Sequence, residues 1–282
     1  MTTGEPEGMR MAEQGQVDPA RSQVFGEVAE LYDAARPGYA DALVAEVLAY
    51  AALGGRAAVE VGAGTGKATL PFAALGTRLV CIEPDPRMAE VLRRNTEPYP
   101  GVRVHAGRFE EWQPDGRSFG LLLAAMSWHW VDQQRRWELA HAALAPGGAV
   151  ALFWNPQGIR DPELHAALAE VDHRHGITDS PHKDLTSAYG EEAGNWAGLP
   201  GWPEDECRRD GRFTDLRSVR YRQQQHYDTD RYLGYLASLS RYRLLAPDRR
   251  EQVLADTARV LDAHGGGIDM DLLSDLFLAR AR

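Results

Sequence analysis

The 282-residue chain has few lysines, few cysteines and no long apolar run. Its only lysines are Lys67 and Lys183, and its net charge of −10 gives it no general attraction for nucleic acid or an anionic membrane surface. Two cysteines, Cys81 and Cys207, exclude a disulfide framework. No run approaches the ~18 apolar residues of a membrane span, and residues 1–20 lack the apolar segment of a signal peptide. We therefore expect a soluble, cytoplasmic protein with a disordered segment 1–20 and neither nucleic acid nor membrane as a partner.

The apolar content of 44% is enough for one large domain at this length. Strand patterns and helix patterns alternate from residue 57 to residue 154, which is typical of a parallel sheet covered by helices on both faces. The predicted strands are 57–61, 78–83, 102–107, 119–126 and 149–154, and the predicted helices are 65–74, 86–95 and 135–144.

This alternation stops at residue 155 and resumes near residue 216. We predict that residues 155–215 form an inserted cap of helix and loops over the carboxyl ends of the strands, where open α/β sheets bind ligands. A strand at 217–227, two helices and a closing strand complete the core. Residues 21–154, which include N-terminal helices, and residues 216–282 are therefore predicted to be two parts of one core.

A glycine-rich stretch, VEVGAGTGKATL at residues 59–70, joins the first predicted strand to a helix. A phosphate-binding P-loop needs G-x-x-x-x-G-K-[ST], but Val61 and Ala68 stand at its first and last positions. A dinucleotide loop needs G-x-G-x-x-G, but Lys67 stands at the third glycine position. The acid Glu60 would repel a pyrophosphate and would suit a ligand that carries a cation.

S-adenosylmethionine satisfies this pattern, because its methionine end carries an ammonium and a sulfonium. Gly62 and Gly64 let the backbone approach a ligand closely, and a helix that begins near Gly66 offers free N–H groups. Glu83 ends the second strand, where an acid binds ribose hydroxyls in dinucleotide sites as well. An NAD(P)-dependent oxidoreductase and a non-catalytic module that binds S-adenosylmethionine are the alternative interpretations.

Three motifs in order resemble class I S-adenosylmethionine-dependent methyltransferases of the trans-aconitate-methyltransferase-like branch. They are AARPGYADALV at 34–44, VEVGAGTGKAT at 59–69 followed by CIEPDPRM at 81–88, and AAMSWHWVD at 124–132. The resemblance covers about residues 24–155. It implies a Rossmann-like, seven-stranded, mostly parallel sheet whose last strand is antiparallel, with helices on both faces.

The resemblance also implies the cofactor S-adenosylmethionine, with S-adenosylhomocysteine as product, and a set of residues that contact it. The set comprises Tyr32 and Arg36; Glu60, Gly62, Ala63, Gly64, Thr65 and Gly66; Glu83, Pro84 and Met88; Arg108, Phe109 and Glu110; and Met126 and Ser127. Relatives place an acid that accepts the adenine amine where this chain has Arg108. Either Phe109 or Glu110 is then expected to take over that contact.

The predicted chemistry is an in-line displacement at the sulfonium methyl, which requires a positioned acceptor, exclusion of water and a base only if the acceptor is protonated. His129 is the candidate base or orienting donor, or alternatively a structural histidine. Trp128 and Trp130 are candidate walls of the acceptor pocket, although one of them could instead be a core residue. Tyr39 is a further candidate contact, and Arg220 could hold an acidic acceptor unless it lies on a solvated strand face.

The predicted acceptor is a small molecule, either a natural product of secondary metabolism or a carboxylate metabolite. The histidine-rich stretch 173–184 has no ligand pair of known metal spacing, so we expect no metal. The sequence does not predict an oligomeric state.

Overall fold

The computed structural model of the protein describes residues 29–36, 38–114, 118–178, 180–182 and 202–282. The helices are α1 (Ala29–Ala35), α2 (Asp41–Ala51), α3 (Thr69–Ala74), α4 (Pro86–Asn95), α5 (Arg136–Ala143), α6 (Pro162–Arg174), α7 (Pro203–Asp210), α8 (Thr229–Ala237), α9 (Ser240–Arg243) and α10 (Pro247–Ala263). The strands are β1 (Ala58–Val61), β2 (Leu79–Glu83), β3 (Val102–Ala106), β4 (Phe119–Ala125), β5 (Leu144–Trp154), β6 (Gln157–Ile159), β7 (Phe213–Asp228) and β8 (Gly267–Ala281). Residues 1–20, which the sequence predicts to be disordered, lie outside the described residues.

The described strands form one sheet that begins in the order β3-β2-β1-β4-β5, with all five strands parallel. β8 pairs antiparallel with β5 on one edge and with β7 on the other. This arrangement confirms the predicted fold, a mostly parallel sheet whose last strand is antiparallel. The short strand β6 adds an eighth member, because it continues β5 along the same edge of β8.

Local sequence explains the best-predicted elements. α4 begins and ends where predicted, because Pro86 occupies the first turn and the Asp85 side chain accepts a 2.8 Å hydrogen bond from the Arg87 amide. β1 and β2 are buried along their whole length. Continuous burial is typical of parallel strands that have helices on both faces.

Three predicted boundaries are wrong by a few residues. α3 begins at Thr69 rather than residue 65, because Gly64 and Gly66 have φ values of +59° and +99°, which a right-handed helix cannot use. The strand predicted at 217–227 runs from Phe213 to Asp228. β5 begins at Leu144 rather than at residue 149, and its first part is irregular.

Apolar side chains form one cluster on each face of the sheet. The first cluster packs α5 and α7 on the sheet and includes Val59, Leu122, Trp137, Cys207 and Phe277. The second packs α2 and α3 on the opposite face and includes Val47, Ala58, Phe72, Leu123 and Phe153. These clusters bury β1, β2, β4 and most of β5, whereas β3 at the end of the sheet is partly exposed.

A third cluster, which we call the cap cluster, lies beyond the carboxyl end of β5. It joins α6, α8, α10 and β6 to the far ends of β7 and β8 and includes Ile159, Leu168, Tyr232, Leu236, Val253 and Ile268. The last pair between β5 and β8 is Trp154 with Asp275, so the part of β8 before Asp275 extends past β5. The cap cluster therefore combines residues of the predicted insertion 155–215 with residues that follow it in the chain. That domain division stays a prediction, because residues 183–201 are outside the described part.

No helix in the described ranges is long and apolar enough to cross a membrane.

Candidate functional site

The glycine loop lies at the carboxyl ends of β1 and β2. The amides of Gly62 and Ala63 donate to the Ile82 carbonyl at 2.8 and 3.2 Å, which ties the loop to β2. Gly62 has a φ of +66°, and a Cβ atom there would lie 2.6 Å from the Ser127 Cβ. Glycine is therefore required at this position by both the backbone conformation and the packing against the end of β4.

A second glycine of the loop is bonded to a carboxylate. The Gly64 amide donates a 2.7 Å hydrogen bond to Glu83 Oε2, and the Asp85 amide donates a 2.9 Å bond to Glu83 Oε1. Burial raises the pKa of Glu83 to about 7, although these two backbone donors oppose the rise. Each Glu83 oxygen accepts one of these bonds and keeps a second lone pair for a further donor.

Glu60 lies behind the loop rather than in front of it. Its side chain is fully buried, and its Oε2 accepts a 2.6 Å hydrogen bond from Thr69 Oγ1 with the Cys81 sulfur 3.8 Å away. Burial raises the pKa of Glu60 to about 8, so its carboxyl is mostly neutral at pH 7. A direct contact between Glu60 and a cationic ligand stays a prediction.

The residues around the loop fit the predicted cofactor. A Cβ atom at Gly64 would meet only Met88 Cε, at 3.6 Å, so the described residues leave space in front of the loop beside Met88. One buried polar atom of the loop, Thr65 Oγ1, has no hydrogen-bond partner within the described residues. The site thus combines a close backbone approach, an acceptor at the end of β2 and an unsatisfied hydroxyl, which suits an amino acid joined to a nucleoside.

Helix α1 crosses over this loop and is held there by polar contacts. Asn95 donates through Nδ2 to the Thr65 carbonyl at 3.0 Å and to Asp33 Oδ2 at 3.1 Å, while Lys67 lies 3.6 Å from Asp33 Oδ1. Tyr32 packs against the small cluster that contains Met88. The predicted contacts Tyr32 and Met88 are therefore neighbours.

Arg36 is engaged with the cap rather than with the glycine loop. Its Nε donates a 3.2 Å hydrogen bond to Ser238 Oγ, and its guanidinium lies 5.1 Å from the ring centre of Tyr32 and 5.4 Å from that of Tyr235. These contacts join the end of α1 to α8. The predicted contact of Arg36 with the cofactor carboxylate would have to be made in addition to them.

The predicted adenine side consists of three residues that point in different directions. Arg108 is exposed and lies 3.6 Å from Glu110, whose Oε1 accepts a 2.9 Å bond from the Asp132 amide. Phe109 is buried and stacks on Trp112 at 6.2 Å, within the first apolar cluster. The Phe109 ring is engaged in packing and the Glu110 carboxylate bonds the Asp132 amide, so an adenine contact of either residue stays a prediction. Pro84, the other predicted contact nearby, is exposed.

The end of β4 presents a strained turn. Met126 has a φ of +57°, and its sulfur accepts a 3.2 Å hydrogen bond from the Asn155 amide. The Ser127 hydroxyl donates to the Val61 carbonyl and so joins the turn to β1. A positive φ at a residue other than glycine is uncommon and costs energy, and such strain clusters at functional sites.

In the SWHW segment after this turn, Trp128 belongs to the apolar core, whereas His129 and Trp130 are partly exposed. Trp128 is 1% exposed and packs edge-on against Trp137 at 5.2 Å, which favours a packing role over the predicted contact with an acceptor. His129 and Trp130 are half-buried, with ring centres 5.1 Å apart. Burial, assisted by the nearby Arg136 charge, lowers the pKa of His129 to about 4. Its imidazole is therefore neutral at pH 7 and able to accept a proton or a hydrogen bond.

The predicted anchor for an acidic acceptor already has an anionic partner. Arg220 donates to both oxygens of Asp275, from Nε at 2.7 Å and from Nη2 at 2.8 Å, and both side chains are buried. A bidentate pair of this kind neutralises the guanidinium. The predicted contact of Arg220 with an acceptor carboxylate would have to be made in addition to this pair, and it stays a prediction.

Sequence reasoning missed Asn155, which joins three parts of the site. Besides the bond from its amide to Met126, its Nδ2 donates to the Gly38 carbonyl at 3.3 Å and its Oδ1 accepts from Ser274 Oγ at 2.9 Å. Its position directly after β5 was the available signal, because the carboxyl ends of parallel strands meet at one edge. Tyr39, next to Gly38, packs edge-on against Phe153 at 4.8 Å.

Comparison with known proteins agrees with this geometry. Residues 58–148 match a family model described as a methyltransferase domain. An uncharacterized methyltransferase of Mycobacterium tuberculosis is 35% identical over 136 residues, which make up 48% of this chain and 54% of that protein. An uncharacterized methyltransferase-like protein of Schizosaccharomyces pombe is 31% identical over 98 residues, 34% of this chain and 37% of that protein. The chain thus spans about half the length of the first of these relatives and 37% of the second.

A solved structure shares the fold over most of the chain. It is a protein of Anaeromyxobacter dehalogenans named as a candidate type II methyltransferase, with a TM-score of 0.60 and 20% identity, over 87% of this chain and 97% of that chain. The stretch from β1 to the first residues of β5 therefore matches a methyltransferase domain, and the residues around its glycine loop fit S-adenosylmethionine as the cofactor. The resemblance to the trans-aconitate-methyltransferase-like branch stays a prediction.

Proposed function

We propose that this protein transfers the methyl group of S-adenosylmethionine to a small-molecule acceptor held near the carboxyl ends of β4 and β5. The observation that carries this proposal is the Gly64–Glu83 pair, which joins the glycine loop of β1 to the carboxylate at the end of β2. The match of residues 58–148 to a methyltransferase domain supports it.

In this proposal the cofactor supplies an activated methyl group, and the chain binds and positions the reactants. Glu83 accepts hydrogen bonds from the ribose hydroxyls, and Met88 packs beside the adenosine. The loop at Gly62 and Gly64 receives the methionine end of the cofactor, while α1 covers the loop. Enclosure between α1 and the strand ends excludes water, which favours attack by the acceptor over hydrolysis.

His129 has a defined part in this mechanism. Because its imidazole is neutral at pH 7, it orients a hydroxyl or amine acceptor through a hydrogen bond and takes its proton when the acceptor starts protonated. With a pKa of about 4 it is a weak base. Its main contribution is therefore to position the acceptor rather than to remove a proton in advance.

The charges of the residues near the site bear on which class of small molecule is the acceptor. The sequence suggested a natural product of secondary metabolism or a carboxylate metabolite. The pairing of Arg220 with Asp275 favours the first class, because it already engages the candidate anchor of a carboxylate. The proposal therefore rests on a natural-product-like acceptor with few charges.

Methyl transfer can be tested with isotopically labelled S-adenosylmethionine and a panel of phenols, alcohols, amines and carboxylic acids. The proposal predicts a labelled methyl product from at least one member and stoichiometric release of S-adenosylhomocysteine. Tight binding of S-adenosylmethionine without transfer to any member of a broad panel would favour the non-catalytic module instead.

A further inference from the structure

Helix α1 has polar contacts on two sides, and the first side faces the glycine loop. Asp33 Oδ2 accepts a 3.1 Å hydrogen bond from Asn95 Nδ2, which also donates to the Thr65 carbonyl of the loop at 3.0 Å. Lys67, which directly follows the loop, lies 3.6 Å from Asp33 Oδ1. α1 is therefore tied to the loop region by an ion pair and, through Asn95, by a hydrogen-bonded bridge to α4.

The second side of α1 contacts α8 through Arg36, which directly follows α1. Arg36 Nε donates a 3.2 Å hydrogen bond to Ser238 Oγ, one residue beyond the end of α8. Ser238 is fully buried, and its hydroxyl is fixed because it donates to the Tyr235 carbonyl at 2.6 Å. The Arg36 guanidinium also lies over two rings, Tyr32 on α1 at 5.1 Å and Tyr235 on α8 at 5.4 Å, and a cation over an aromatic ring is attracted to it.

The helix that Arg36 contacts belongs to the cap. Tyr235 and Leu236 of α8 pack in the cap cluster, which also contains Ile159 of β6. β6 continues β5 along the same edge of β8, and the proposed methyl acceptor lies near the carboxyl end of β5. α1 therefore connects the loop that receives the cofactor with the part of the cap that adjoins the end of β5.

A helix as short as α1 depends on its contacts for stability. Its described helical part, Ala29–Ala35, has seven residues, and an isolated helix shorter than about 12 residues is marginal in water. Its described apolar contacts form a small cluster, in which Ala29 and Tyr32 pack with Met88 and Val91 of α4. The order of α1 is therefore set largely by the contacts on its two sides. A ligand that stabilises α1 against the loop also favours the contact with α8, because the cost of ordering α1 has then already been met.

We propose that α1 couples occupancy of the glycine loop to the order of α8 in the cap, with Arg36 as the positioning residue that transmits the coupling. This inference rests on the proposed function, because it takes S-adenosylmethionine as the ligand of the loop. Cofactor bound between the loop and Tyr32 stabilises α1, α1 holds Arg36 against Ser238, and this contact reduces local opening of α8. An acceptor that binds against the ordered cap then gains affinity when the cofactor is bound, which is positive cooperativity between the two sites.

Hydrogen–deuterium exchange followed by mass spectrometry measures this coupling on the full chain, with and without saturating S-adenosylhomocysteine. In the wild-type protein we expect S-adenosylhomocysteine to slow amide exchange in two segments, the loop at residues 62–66 and α8 at Thr229–Ala237. The slowing in α8 should be about fivefold or more, the lower end of typical coupling between sites. Arg36→Met should keep the slowing in the loop and lose most of the slowing in α8.

A second variant, Ser238→Ala, breaks the same contact from the cap side. It should reduce the slowing in α8, and it decides the matter if Arg36→Met binds the cofactor too weakly to be saturated. The matched control is Arg231→Met. The Arg231 guanidinium lies 4.2 Å from the ring centre of Tyr227, so this variant removes an arginine–tyrosine contact between α8 and β7 rather than one with α1. It should leave the slowing in α8 as large as in the wild-type protein.

Slowing of exchange in α8 that is as large in Arg36→Met and Ser238→Ala as in the wild-type protein would overturn the proposal. Slowing confined to the loop in the wild-type protein, or an equal loss of the α8 response in Arg231→Met, would overturn it as well. Failure of the proposed function would look different, because S-adenosylhomocysteine would then slow exchange in neither the loop nor α8, and the coupling would fail with it.

Discussion

The amide of Gly64 and the carboxylate of Glu83 are joined by a 2.7 Å hydrogen bond between two neighbouring strand ends. The bond fixes the glycine loop relative to β2, and it orients a nearly buried carboxylate toward the space in front of the loop. A donor ligand that bonds to Glu83 would therefore be positioned against the loop at the same time.

Replacing this carboxylate should weaken cofactor binding. Glu83→Gln has the same shape, but its NH2 group cannot accept a hydrogen bond, so one acceptor and the negative charge are lost. We expect the affinity for S-adenosylmethionine to fall by about 1.5–3 kcal/mol, which is tenfold or more, in a calorimetric titration. The control Glu90→Gln removes an exposed carboxylate from α4 and should leave the affinity unchanged. Equal affinities of the Glu83 variant and wild type would contradict the assigned role.

Buried acids also predict how stability depends on pH. The pKa of Glu60 is raised from 4.5 to about 8 in the folded chain, so between these values the unfolded chain loses its proton while the folded chain keeps it. The free energy of unfolding contributed by this group is therefore highest below pH 4.5 and falls as pH rises to about 8. Glu83, with a pKa of about 7, acts in the same direction.

Glu60→Gln should remove most of this dependence. The amide can still accept from Thr69, and it has no charge to bury. We expect the free energy of unfolding of the variant, relative to that of wild type, to increase by about a few kcal/mol from pH 5 to pH 8.5. Urea unfolding of both proteins at the two pH values measures this change. A difference between the two proteins that is the same at both pH values would show that Glu60 ionises normally in the folded chain.

The glycine at position 62 should be indispensable for packing as well as conformation. Gly62→Ala carries the cost of a positive φ, about 1 kcal/mol, plus overpacking against Ser127, typically 1–3 kcal/mol more. Gly76→Ala is the matched control, because Gly76 has a φ of +79° and nothing within 4 Å of the added Cβ among the described residues. Thermal unfolding should show the Gly62 variant to be the less stable of the two. Adding Ser127→Gly should restore part of the difference.

The Arg220–Asp275 pair between β7 and β8 should contribute to the stability of the folded protein rather than to substrate recognition. Arg220→Met leaves Asp275 buried without its partner, which costs about 3–5 kcal/mol of stability. The double variant Arg220→Met, Asp275→Leu should regain most of that loss. Arg222→Met, at an exposed position of the same strand, is the control. If the single Arg220 variant instead kept its stability and lost affinity for carboxylate probes, the anchor predicted from sequence would be correct after all.

Much of the fold was predictable because its signals are local. The helix 86–95 was predicted to the residue, since Pro86 marks its start in the sequence, and the structure adds Asp85 as its cap. The acid at the end of β2 was found for the same reason: a strand pattern ends at Glu83.

What could not be predicted depends on contacts between distant residues. The partner of Arg220 is 55 residues away on β8, and no local pattern indicates which arginine of this strand finds a carboxylate. The SWHW segment likewise gave no sign that Trp128 would face the core while His129 stays half-buried, because that depends on packing against Trp137. The cap was predicted at residues 155–215, and the cap cluster also contains residues of α8, α10 and the far ends of β7 and β8.

The most direct test of the central claim is a pair of calorimetric titrations of the wild-type protein, one with S-adenosylmethionine and one with NAD⁺. The account predicts a single site for S-adenosylmethionine, competed by S-adenosylhomocysteine, and no measurable heat of binding with NAD⁺. Saturable binding of NAD⁺ together with no response to S-adenosylmethionine would contradict it.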